Sequence, residues 1–173
     1  MIGWIAIDGT TISYPVMQTP DRPNYYLKRG FDRQYSDYGV PYADERCFID
    51  PQSDNIAIYG HHMKSGKMFG ALEDYKSEAF YRDHPLIRFD TRVGFGVYEI
   101  LAVFKVSPAD FPYHEFVNAA DEAAFSAYVE RCKSLSFYDT GVNVAYGDKL
   151  ITLSTCEYTR QGNRLVVVAK RIS

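Results

Sequence analysis

A cysteine and an arginine near the C-terminus, with a histidine pair near the middle, carry the chemistry this sequence can do. Cys156 closes a run rich in β-branched residues, Leu150–Thr155, and Arg164 opens a second run, Leu165–Ala169. Gly162 and Asn163 lie in the polar stretch between them, so the runs read as two antiparallel strands and their turn. A hairpin connection sets Cys156 and Arg164 roughly opposite each other, and directly opposed residues have Cβ atoms about 4.5–5.5 Å apart. A guanidinium keeps its proton, and a cation nearby favours a thiolate over a thiol. The same guanidinium can hold the oxyanion that forms when a thiolate attacks a carbonyl. Two other arginines compete: Arg160 lies in the middle of the loop, and Arg171 lies further along the strand, roughly 23 Å away at about 3.3 Å per residue. Taken alone, the hairpin also describes a buried, inert cysteine beside a surface arginine. A histidine decides between the two.

Of the four histidines, His84 precedes a proline at a helix end and His114 lies in an aromatic loop, and both read as surface residues. His61 and His62 follow the strand Asn55–Tyr59 and Gly60, just as Cys156 ends its own strand. Parallel neighbours bring their C-terminal ends together, and a histidine would then meet the cysteine at one rim as its base or acid. Spacing alone leaves the doublet open between His61 and His62.

The remaining elements must position these groups. Gly3–Ile7 and Ser13–Gln18 read as strands around Asp8–Gly9, and Arg29–Ala43 as irregular. Cys47–Asp50 and Asn55–Tyr59 read as short strands, and Ser65 as the cap of a short helix carrying Met68, Phe69 and Leu72. Ser77–Asp83 reads as a helical turn stopped by His84–Pro85, Leu86–Asp90 and Val97–Val106 as strands, and Pro108–Phe116 as a loop. The clearest helix is Asp121–Leu135, where Phe125, Tyr128, Val129, Cys132 and Leu135 recur at helical spacing. Cys132 therefore belongs to a buried stripe, and Cys47, flanked by Phe48 and Ile49, is expected to be buried too. The sum is a mainly β chain of about eight strands with two or three inserted helices, a barrel or a sandwich.

The 173 residues, 46% of them hydrophobic, suit one domain spanning 1–173. A net charge of −3 with mixed signs excludes a basic nucleic-acid surface. Fifteen tyrosines and eleven phenylalanines favour strands and a half-wet binding cleft. No apolar run approaches the ~20 residues of a membrane helix. No histidine, cysteine or carboxylate spacing suggests a metal, so neither a metal nor an organic cofactor is expected.

Three stretches in order, YGHHMKSGKMFGAL (Tyr59–Leu72), TLSTCEY (Thr152–Tyr158) and RLVVVAKR (Arg164–Arg171), resemble the sortases, and class B among them. The resemblance implies an eight-stranded β-barrel and a cysteine transpeptidase of the Gram-positive cell surface. Such an enzyme cuts a C-terminal sorting signal, often N-P-x-T-N-like in class B, after its threonine. It passes the thioacyl group to an amine of the peptidoglycan precursor or, in pilus enzymes, to a pilin lysine. The match makes Cys156 the nucleophile, His61 the proton-transfer residue and Arg164 the oxyanion-binding arginine. It lays Leu27, Tyr59, Ser154 and Glu157 along the signal pocket, with Phe111, Pro112 and Tyr113 as one wall; Asn24 or Pro23 takes the register of a further groove residue. The family is tethered outside the cell by an N-terminal membrane helix, and this chain fits a form without that anchor. A pilus-assembling sortase, a thiol hydrolase and a non-catalytic groove protein are the competing readings, and an intact Cys-His-Arg set argues against the last.

Overall fold

The C-terminal runs LITL and LVVVA do not alternate because both faces of their strands are covered. Ile151, Leu153, Leu165, Val167 and Ala169 fill the inside of a barrel, while Leu150, Val166 and Val168 meet residues of the long helix on the outside. The computed structural model of the protein describes residues 1–156 and 162–173. Among these are eight strands: β1 (Gly3–Ala6), β2 (Ser13–Val16), β3 (Tyr42–Ala43), β4 (Asn55–His61), β5 (Leu86–Thr91), β6 (Val97–Val106), β7 (Leu150–Cys156) and β8 (Arg164–Arg171). Two α-helices, α1 (Glu78–Asp83) and α2 (Glu122–Leu135), and three 3₁₀ turns, Tyr25–Lys28, Gly70–Lys76 and Tyr113–Glu115, join them.

The strands run in the order β2-β1-β5-β6-β8-β7-β4-β3. A parallel bridge from Met17 to Tyr42, with Met17 N donating to Pro41 O and Ala43 N to Met17 O, brings the two edge strands together and nearly closes the barrel. β4 and β7 are parallel neighbours; the other strand pairs are antiparallel. The imperfect alternation of Val97–Val106 has a local cause, a bulge between Ile100 and Ala102. Tyr98 and Ile100 face the barrel interior before it and Val103 after it, so the inward parity switches.

Asp121 caps α2 by accepting from Ala124 N at 2.8 Å. Phe125, Tyr128, Val129 and Cys132 form the buried face, which packs on β6. Ser77 caps α1 through Phe80 N. No helix among the described residues is long and apolar enough to cross a membrane.

Three expectations change. Cys47–Asp50 is not a strand, because Cys47 N donates to the Asp44 carbonyl and Phe48 N to the Ser53 hydroxyl. These local bonds take donors that a ladder would need. The missing strand is β3, inside the stretch read as irregular. Ser65 caps no helix: Met68 adopts a left-handed conformation (φ 53°) with its N–H donated to Tyr14 Oη, and the helical turn begins only at Gly70.

Gly60 lies inside β4 rather than ending it. A Cβ there would stand 2.6 Å from the root of the buried Phe69 ring, so only glycine lets the strand pass on to His61. Gly60→Ala is expected to lower stability by about 1–3 kcal/mol, the usual cost of overpacking a filled core. A urea midpoint equal to that of the parent would show instead that Phe69 yields freely.

Candidate active site

Two strand registers meet at one rim. In the parallel β4–β7 pair, His61 is the Cα partner of Cys156. In the antiparallel β7–β8 pair the last rung is Ser154 with Val166, and continuing it by two residues sets Cys156 opposite Arg164. The step between is held by a side chain: Leu165 N donates to Thr155 Oγ1 at 3.0 Å. On its other flank Arg164 is the partner of Val106 in β6. The antiparallel pairing of the two C-terminal strands and the parallel neighbourhood of the histidine strand, both read from the sequence, are thus present in the backbone. Arg171 lies at the opposite rim, bonded to Gln52, Phe95 and Ser173.

His61 Nε2 is 2.6 Å from the carbonyl oxygen of Leu27. A carbonyl only accepts, so Nε2 carries the hydrogen and the lone pair of the neutral ring is on Nδ1. The Tyr25–Lys28 turn that supplies this carbonyl sits against Gly39, where a Cβ would come within 2.5 Å of both the Tyr26 and Leu27 oxygens. His62 bridges to Met68 and lines a different hollow. The doublet left open by spacing is therefore divided between two sides of the strand end.

A groove of about 390 Å³ leads away from this rim. Leu27, Tyr59, Tyr113, Ser154 and Arg164 line it, and Asn24 joins them. Tyr113 Oη and Ser154 Oγ share a hydrogen bond of 2.7 Å, which ties the wall to the floor. Phe111 and Pro112 do not line the groove. Phe111 instead packs against Phe104 and Tyr128 over the α2 cluster, and the wall is made by Pro108, Tyr113 and His114. His114, expected at the surface, is thus a groove residue. Glu157 and Arg160 lie outside the described residues.

Sequence reading missed the groove's polar end. The Asp44 carboxylate, nearly fully buried, accepts from Arg46 Nε and Nη2 at 2.8 Å each and from Tyr59 Oη at 2.9 Å. Arg46 Nη2 also donates to His114 O, and the Tyr42 hydroxyl donates to Asn24 Oδ1. Burial by itself raises the Asp44 pKa, but the hydrogen bonds from Arg46 and Tyr59 outweigh it, and the carboxyl sits below its usual value. Burial, then the Asp44 charge, pushes the Tyr59 phenol far up. The only sequence signal was the run Asp44-Glu45-Arg46 beside an apolar turn, which also describes a solvated surface.

The other two cysteines are chemically quiet. Burial pushes the Cys47 and Cys132 thiols up to about 12, so both stay protonated at neutral pH. Among the described residues, no three His, Cys, Asp or Glu side chains converge as metal ligands.

Because the folded pKa of Asp44 is depressed, its contribution to stability is present above the unfolded value of about 3.9 and is lost as pH falls through the folded value. Urea midpoints followed from about pH 5 to about pH 2.5 are expected to fall less steeply for Asp44→Asn than for the parent protein. Parallel curves would show that Asp44 is not the group being protonated.

A family model described as the sortase domain matches residues 5–172. Sortase B of Staphylococcus aureus is 34% identical over 175 residues, spanning 99% of this chain and 70% of the relative. The solved S. aureus sortase B–substrate complex superposes with a TM-score of 0.93 at 33% identity, covering 99% of this chain and 79% of that one. A sortase B complexed with Gly3 gives 0.92 at 32%, covering 99% and 81%. A thiol-bearing strand end, a histidine on the parallel neighbour, a nearly closed eight-stranded barrel and this likeness over the whole length lead to one conclusion: the chain belongs to the sortase family, as a class B sortase, a cysteine transpeptidase.

Proposed function

We propose that residues 1–173 act as a single catalytic domain that cleaves a sorting signal after its threonine and transfers the protein to an amine of the peptidoglycan precursor. The observation that supports this most directly is the register: His61 is the strand partner of Cys156 on one flank, and on the other the β7–β8 ladder, carried two residues past Ser154–Val166, leads to Arg164. In this reading His61 Nδ1 takes the Cys156 thiol proton, the thiolate attacks the threonine carbonyl carbon, and Arg164 with nearby backbone N–H groups holds the oxyanion. The scissile C–N bond then breaks, and His61 gives its Nδ1 proton to the leaving amine. A thioester remains on Cys156. An incoming amine attacks it, the C–S bond breaks, and the surplus amine proton passes through His61 to the departing sulfur.

The groove from Leu27 and Ser154 to Tyr59 and Arg46 takes the residues ahead of the scissile bond. Its mixed lining of tyrosines, an asparagine and a buried carboxylate paired with a half-exposed arginine suits a pentapeptide with a polar side chain, of the N-P-x-T-N kind. Two relatives, one solved with substrate and one with Gly3, support a peptide donor and a glycine-type amine acceptor. The work belongs at the outer face of a Gram-positive membrane, with an N-terminal anchor in the full-length protein.

A peptide library resolved by mass spectrometry, with and without amines, tests the reaction. Cys156→Ala is expected to abolish cleavage and to leave the fold intact, whereas Cys47→Ala and Cys132→Ala lower stability more than turnover. Full activity of Cys156→Ala would remove the whole assignment. His61→Ala is expected to cost about two to four orders of magnitude in kcat, the usual worth of general acid–base catalysis, and to exceed the loss in His62→Ala.

Arg164→Lys keeps the charge and loses the two-pronged donor, and is expected to lower kcat/KM roughly a hundred- to a thousandfold. Arg160→Lys on the same peptide is expected to be nearly silent. A near-parental Arg164→Lys would mean that backbone N–H groups alone bind the oxyanion.

A further inference from the structure

The donor groove carries its charge unevenly. Among the described residues, Arg164 lies at the catalytic rim, and Asp44, Glu45 and Arg46 lie at the far end. There Arg46 and Asp44 cancel, because Nε and Nη2 of the guanidinium each stand 2.8 Å from a different carboxylate oxygen. Nη2 is also spent on the His114 carbonyl, a bond that joins the two walls of the groove. Glu45 is left over. It is half-buried and lines the groove, and its carboxylate makes no ion pair or hydrogen bond with any described residue. The groove is therefore positive where the thioester forms and negative where the donor chain arrives.

In the reaction proposed above the threonine carbonyl lies at Cys156, so the residues ahead of it run back toward Glu45. Tyr59 stands two residues before His61 in β4 and opposite Tyr42 in β3, and Glu45 follows three residues after Tyr42. With a rise of about 3.3 Å per residue and ~4.8 Å between strands, Glu45 lies roughly 15–20 Å from Cys156. That is the reach of about five or six extended residues. A five-residue signal thus ends beside it.

We infer that Glu45 is a specificity-determining residue that reads a basic side chain, lysine or arginine, on the residue directly ahead of the five-residue signal. This inference rests on the donor-groove reading above.

The chemistry favours a cation there over a neutral or acidic side chain. A lysine or arginine can lay its methylene stem along the tyrosine-lined wall and bring its charged head to the carboxylate. The groove excludes part of the water, so the pair is screened less than one on open surface. A glutamate at the same place would meet a like charge. Arg46 cannot turn to relieve it, because two bonds to Asp44 and one to His114 hold the guanidinium. The pair lies far from the scissile bond and is the same before and during the reaction. Its effect therefore falls on KM, with kcat unaltered.

The test compares three N-acetylated peptides with lysine, alanine or glutamate placed ahead of N-P-A-T-N and the same short tail. Product formation is followed by mass spectrometry, and kcat/KM is expressed as a ratio between peptides, which is blind to uniform loss of turnover. The parent is expected to favour lysine over alanine about threefold and over glutamate about tenfold, the scale of one partly screened charge pair and of its reversal. Glu45→Gln is expected to bring the three peptides within about twofold of one another, and Glu45→Lys to make the glutamate peptide the best. Salt at about 0.5 M is expected to narrow the parental preference. Circular dichroism checks that each variant is folded. A lysine-to-glutamate ratio below about twofold in the parent, or one that Glu45→Lys leaves unchanged, would overturn the role of Glu45 while leaving the transpeptidase reading standing. Failure of the parent to cleave any of the three would instead overturn the donor-groove reading on which it rests.

Discussion

One parallel strand pair brings the proposed nucleophile and its histidine together. β4 and β7 run the same way in a barrel whose other pairs are antiparallel, and the C-terminal ends of parallel neighbours lie at the same rim. No hairpin can make such a pair, so the chain between them must cross over. Here that crossover carries α1, β5, β6 and α2. It doubles as the cover that buries the outer faces of β6, β7 and β8. The histidine and the cysteine are therefore neighbours only once the barrel is nearly complete, and no local fragment of the chain contains both.

Around that pair, rigidity comes from polar groups that are buried and satisfied. Asn55 Oδ1 accepts from Thr152 Oγ1, and Tyr128 and Thr152 share a hydroxyl contact behind β7. Ser154 is tied to Tyr113, and Tyr59 to Asp44. An unpaired buried hydroxyl or carboxylate is costly, so each of these bonds fixes its partner's position. The tyrosine-rich composition thus has a structural use: the rings fill the space between barrel and groove, and their hydroxyls fasten the groove walls.

The strands near the site were legible because their causes are local. Val97–Val106 came out with its observed bounds, and the stripe Phe125-Tyr128-Val129-Cys132 gave α2 within a residue. The antiparallel pairing of β7 with β8 followed from hairpin logic alone. What failed depended on partners distant in sequence. β3 is two residues long and exists because Met17 and Tyr59 flank it. Cys47–Asp50 has strand-like residues, but the Asp44 carbonyl takes Cys47 N–H and the Ser53 hydroxyl takes Phe48 N–H. Phe111 is as aromatic as Tyr113, and only the packing of α2 decides which ring turns to the groove. Asp44 was invisible as a site residue because a buried carboxylate looks like a surface one until its donors are in place.

The carbonyl of Leu27 has a further effect on His61. By engaging Nε2–H, it occupies one of the two ring positions at which an imidazole exchanges protons. In the reaction proposed above, Nδ1 is then the atom that both receives and releases the travelling proton, while Nε2 stays bonded to Leu27. Forward and reverse steps use the same atom, and no ring flip is needed between acylation and transfer. The orientation of that atom is set by a peptide group, which has no side chain to titrate or to substitute. Control of the histidine accordingly resides in the placing of a short turn outside the barrel, seated against Gly39.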